Sequence, residues 1–128
     1  MSYYFSKTLA TTDFEQAIEY VTAALKERGF GVLTTIDVKT TLKKKINVDF
    51  RPYTILGACN PKFAHKALSA EDKIGTMLPC NVIVQQVEGH IEVAAVDPIA
   101  SMQAVNNPDL GDIANEVQGL LRETVESL

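Results

Sequence analysis

Two apolar, β-rich runs, Asn81–Val87 and His90–Val96, are separated only by Glu88-Gly89. A gap of that length leaves room for a tight turn, so the two runs pair as an antiparallel hairpin. No other stretch of the chain limits the available folds so strongly. The remaining segments are therefore read as the strands and helices around it.

Tyr3 to Leu9 alternates enough to be a first strand. Thr12-Asp13-Phe14-Glu15 matches a capping box, and Phe14, Ala17, Ile18, Val21 and Leu25 follow at helical spacing, with Gly29 as the stop. Phe30 to Ile36 is a second strand. Asp37 then caps a short helix in which Val38, Leu42 and Ile46 recur every four residues while Lys39 and Lys43 to Lys45 form a solvated basic face. Asn47 to Pro52 is its exit loop. Tyr53 to Cys59 is mostly apolar, which predicts a third strand buried on both faces. Pro61 suits the first turn of a helix, with Asn60 as its N-cap and Phe63, Ala64, Ala67 and Leu68 as the inward stripe. Ser69 to Pro79 connects that helix to the hairpin. Asp97-Pro98 ends the last strand, Ile99 to Val105 makes one or two helical turns, and Leu110, Ile113, Ala114, Val117, Leu120, Leu121, Val125 and Leu128 mark a long closing helix. The order β-α-β-α-β-α-β-β-α predicts one α+β domain over residues 1–128, with about five strands in a mixed or antiparallel sheet and helices mainly on one face.

Composition agrees with a folded domain, since 46% hydrophobic and 22% charged residues are ordinary globular values. A net charge of −4, with Lys43-Lys44-Lys45 as the basic run, argues against nucleic acid as a partner. No stretch has the length of apolar sequence that crosses a membrane, and the first residues lack the plan of a signal peptide. The expectation is a cytoplasmic protein whose two cysteines are reduced thiols.

Those cysteines share one local chemistry. Gly57-Ala58-Cys59-Asn60-Pro61 is answered by Leu78-Pro79-Cys80-Asn81-Val82, each with a Cys-Asn step. Cys59 leaves one strand and Cys80 enters the next, so an antiparallel relation between them puts both thiols at one edge of the sheet. Cys59 also precedes the helix that starts at Pro61, where free N–H groups favour a thiolate. With Cys80 as a resolving partner it is a candidate nucleophile or redox group. Asn60, Asn81, Lys62, His65 and Lys66 are candidate ligand-binding residues around the same place, and Arg51 is a further cation. Each has a plainer role open to it: buried cysteines are often only packing, and Asn60 and Asn81 can serve as caps. Cys59, Cys80, His65 and His90 have the chemistry of a zinc set but not its close spacing, so no metal and no cofactor are expected.

The paired Cys-Asn motifs, together with Gly29-Phe30-Gly31-Val32 at the second strand, resemble the domain of unknown function 302 family over nearly the whole chain. Met77 stands where the pattern leads one to expect Leu. The resemblance implies a compact α+β domain found as a homodimer, with no established reaction. Three functions stay open: a binding domain for a small ligand, an anion among the options, beside Cys59-Asn60 and Cys80-Asn81; a thiol enzyme or redox protein; and a dimeric interaction module with buried structural cysteines.

Overall fold

The structure, a computed structural model, describes residues 2–128. The hairpin is β4 (Cys80–Val87) and β5 (His90–Val96), and both turn residues, Glu88 and Gly89, have positive φ. That geometry matches the right-handed twist of the flanking strands. Around the hairpin stand β1 (Tyr4–Leu9), β2 (Gly31–Asp37) and β3 (Tyr53–Cys59), in the order β1-β5-β4-β3-β2. Every pairing is antiparallel, which resolves the mixed-or-antiparallel alternative.

Two helices cover one face of this sheet. Ala17, Val21 and Leu25 of α1 (Phe14–Glu27) and Val117, Leu121 and Val125 of the closing helix (Gly111–Glu126) pack onto Leu56, Val82, Val84, Ile91 and Val93. Complete burial of each such Leu, Ile or Val contributes roughly 1.5–3 kcal/mol. The outer face is half open, and here the expectation for β3 fails. Tyr53, Ile55 and Cys59 alternate with buried Thr54, Leu56 and Ala58 and are only partly covered, because an antiparallel sheet needs a helix layer on one side alone.

The caps of α1 correct the sequence reading by one residue. Asp13, not Thr12, is the N-cap and accepts a hydrogen bond from the Gln16 N–H at 3.1 Å, while Thr11 accepts from the Asp13 N–H. A carboxylate is at least as good a cap as a hydroxyl, so Asp13 takes the position. At the other end, the Gly29 N–H donates to the Lys26 carbonyl and the Phe30 N–H to the Leu25 carbonyl, with Gly29 at φ +84°. This is a Schellman ending, and it aims Phe30 inward.

Helix α2 (Val38–Ile46) differs from the others: none of its residues is buried. Asp37 caps it, and Asn47 in the left-handed conformation closes it. Helix α3 (Pro61–Ala70) begins at Pro61 as the sequence predicts. Within the expected connection that follows, a 3-10 helix (Asp72–Met77) buries Ile74. The short α4 (Pro98–Ser101), a 3-10 turn (Pro108–Leu110) and the closing helix, α5, complete the chain.

Candidate functional site

Because β3 and β4 are antiparallel neighbours, both thiols stand at the same end of the sheet. Cys80 pairs with Ala58, and both are buried on the helix-covered face. Cys59 is one residue further along β3, on the opposite pleat, paired with Gly31 and half-buried. From the ladder spacing, their Cα atoms are about 6 Å apart. Both are free thiols.

They line a cavity of about 40 Å³ between the sheet end, α3 and the start of α5. Phe30 and Phe63 contribute aromatic walls, Ala114 and Val117 come from α5, and Met102 follows α4. None of the lining residues is charged. A water needs roughly 10–15 Å³ by this measure, so the space takes about three waters or one molecule of a few heavy atoms. Burial pushes the Cys80 thiol up to about 11, with the neighbouring Cys59 adding to the shift. At neutral pH Cys80 is therefore uncharged.

Asn60 also lines the cavity. It occupies the N-cap position of α3, as predicted, yet its side chain makes no capping hydrogen bond. The amide lies against Gly29 instead, where an added Cβ would come within 3.1 Å of Nδ2. Gly57 shapes the same sheet end. A Cβ there would meet Thr34 Oγ1 at 2.1 Å and Pro79 Cγ at 2.8 Å, so the close approach of β2 and the β4 entrance requires glycine. Leu33 sits at the register shift between Val32 and Thr34 and is strongly exposed, which lets Thr34 close over Gly57.

The other sequence candidates do not gather here. Asn81 pairs with Gly57 on the outer face and lines a shallow depression there with Tyr3, Tyr4 and Tyr53. Lys62, His65 and Lys66 are exposed on α3, outside the cavity lining, and Lys66 Nζ lies 5.5 Å from the Phe63 ring centroid. Arg51 is near the opposite end of β3, stacked on Phe50 and hydrogen-bonded to Gln85. His90 pairs with Val87, at the far end of β4 from Cys80. Among the described residues, no three His, Cys, Asp or Glu side chains converge. Phe30, Met102, Leu110 and Ala114 were missing from the sequence candidates. They come from segments distant in sequence, and only tertiary packing brings them together.

The family profile described as "Domain of unknown function DUF302" matches residues 5–128. The chain belongs to this family. A similar solved structure is that of the uncharacterized conserved DUF302 protein from Bacillus stearothermophilus, with 29% sequence identity, a TM-score of 0.91 and 98% of each chain covered. No curated protein matches the sequence at a significant level. The DUF302 fold thus extends over the elements that build the cavity. Among the described residues, no helix is long and apolar enough to cross a membrane.

Proposed function

We propose that this domain binds a small, mainly apolar molecule, or the apolar end of a larger one, in the cavity at the Cys59 and Cys80 end of the sheet. The observation that supports this reading is an uncharged, mainly apolar lining that includes Cys80, the strand end at Cys59 and the uncapped Asn60. Ligand pockets combine apolar surface with few polar groups in the same way. An anion is the weaker choice, because Lys62, His65 and Lys66 stand outside the lining and a buried charge without a partner is costly. Free thiols suit a cytoplasmic setting.

Xenon under pressure is a direct probe. Amide shifts should change at Asn60, Ala64 and Cys80, and Ala114→Leu, which fills the space, should suppress them while the fold persists. Shifts scattered over the surface, or unchanged in Ala114→Leu, would remove the proposal.

A second reading, thiol chemistry with Cys59 as nucleophile, draws on its half-buried position two residues before Pro61. Cys80 as resolving thiol has less support, since side chains on opposite pleats diverge and a disulfide needs converging Cβ atoms. Cys59→Ser separates the readings: a binder keeps its affinity within a few fold, and a thiol enzyme loses turnover. We also propose a homodimer. Its support is the exposed apolar surface of the β2–α2 region, where Leu33, Ile36, Ile46 and Val48 lie open. Light scattering that shows a monomer at micromolar concentration would exclude it.

A further inference from the structure

The depression on the outer face of the sheet has a volume of about 410 Å³, within the size range of small-molecule sites. Strand register lays out its floor. Glu92, Ala94 and Val96 follow one another on the outer pleat of β5, and across β1 they pair with Thr8, Ser6 and Tyr4. On the β4 side Glu92 pairs with Gln85 and Ala94 with Ile83. Ala94 and Ser6 are short, so a trough about 13 Å long runs along β5 from Glu92 to Val96. Tyr53 stands across Gln85 from its Glu92 end. The Tyr3 and Tyr4 rings, packed edge to face with centroids 5.0 Å apart, stand at its Val96 end.

One end of this trough is charged. Glu92 is half-buried and is the only charged side chain in the lining. Gln85 Nε2 donates to Glu92 Oε1 at 2.8 Å, and Gln85 Oε1 accepts from Arg51 Nε at 2.9 Å, so the guanidinium is held one side chain away from the carboxylate. Among the described residues, Glu92 forms no ion pair. The tyrosine rings add potential of the same sign, because an aromatic ring is negative over its faces.

We propose that this trough binds a small alkylammonium ion, with the charged group beside Glu92 and the apolar body over Ala94 and Ile83 toward Tyr4. Charge complementarity selects the occupant. An anion is repelled by Glu92, and a bare metal ion needs several oxygen ligands where the lining offers one carboxylate. An amine with a short hydrocarbon chain matches both parts, since its cation meets the carboxylate and its methylene groups cover the apolar floor. The trough lies on the opposite face of the sheet from the cavity that holds Cys80, so the two sites stand or fall separately.

The test is titration of the full-length chain with n-hexylammonium, n-hexanol and hexanoate, followed by amide chemical shifts. Hexylammonium should move the signals of Ile83, Glu92 and Ala94 in a saturable way and bind about fivefold tighter than hexanol, while hexanoate leaves them in place. Glu92→Gln should bring hexylammonium down to the level of hexanol. Ala94→Leu fills the trough and should abolish the shifts with both. Circular dichroism identifies any variant that fails to fold; Glu92→Gln, a near-isosteric change at a half-buried position, keeps the test decisive if Ala94→Leu does not. No saturable shift with hexylammonium, equal binding of hexylammonium and hexanoate, or a preference for the ammonium that survives in folded Glu92→Gln would overturn the assignment. So would shifts confined to Asn60, Ala64 and Cys80, which would place the amine in the cavity instead.

Discussion

The two ends of the β2–β3 pair are held by different forces. At one end Gly31 meets Cys59, Gly57 packs against Thr34 and Pro79, and Pro79, Phe30 and the start of α5 close around the cavity. At the other, α2 joins the strands without burying a single residue. Shape complementarity rules the first end, where buried side chains from the strands, α3 and α5 pack around the cavity. Local hydrogen bonds rule the second, where Asp37 and Asn47 begin and end a solvated helix. A change of volume should therefore be felt at the cavity end, and a lost cap at the α2 end.

One residue type tests this directly, because isoleucine occurs in both regions. Ile74 is 1% exposed in the cluster with Ala67 and Leu110, and Ile46 is 63% exposed on α2. Denaturant unfolding should show Ile74→Ala losing about 2–5 kcal/mol, the usual cost of truncating a buried Ile. Ile46→Ala should stay within about 0.5 kcal/mol. A comparable loss at Ile46 would break the contrast and place α2 against a partner in solution.

The next largest effect tests the close approach at Gly57. Gly57→Ala puts a methyl group into Thr34 Oγ1 and the Pro79 ring, an overpacking worth about 1–3 kcal/mol. Adding Thr34→Ala should recover part of the loss but not all, because Pro79 Cγ remains 2.8 Å from the new atom. Full recovery would show that the β4 entrance yields easily, and that the cavity end is softer than its packing implies.

These two tests also mark what could and could not be read from the chain. The hairpin, the closing helix and the helix start at Pro61 were legible because each depends on spacing within a few residues. So was the shared edge of Cys59 and Cys80, once the strands were taken as antiparallel. The face on which each residue stands was not. Asn81 follows Cys80 directly, and the pleat sends it to the outer face, so the repeated Cys-Asn step does not make a repeated site. Gly57 and Met102 carry no local signal either. Glycine at Gly57 is required by a side chain 23 positions earlier, and Met102 reaches the cavity only through the packing of α4 and α5.

The buried thiol adds a smaller effect with a definite pH window. Cys80 titrates near 9.0 in the unfolded chain and is pushed up to about 11 by burial. Between these values the folded state holds a proton that the unfolded state has released, so stability falls as pH rises through the window. The loss approaches about 2 kcal/mol. Unfolding curves from pH 8 to 11 should show a steeper decline for the wild type than for Cys80→Ala. Parallel curves would mean that water reaches the thiol and that the cavity end is open rather than sealed.

The smallest effect belongs to α2, and its sign is opposite in pH. The Asp37 carboxylate accepts hydrogen bonds from the Thr40 N–H at 3.0 Å and the Thr40 hydroxyl at 2.9 Å, which hold its pKa below the usual carboxylate value. Its stabilisation is present above the unfolded pKa near 3.8 and is lost as pH falls through the lower folded value. Asp37→Ala should cost about 1 kcal/mol at pH 7. That difference should shrink as the pH is lowered from 5 toward 3, since the wild type then loses the charge that strengthens its cap. Asp37→Asn keeps an acceptor without the charge, so it should retain most of the stability and show no such pH dependence at this site. If Asp37→Ala costs nothing at any pH, α2 is held by contacts outside this chain, and the contrast between the two ends gives way to a dimer surface at the β2–α2 region.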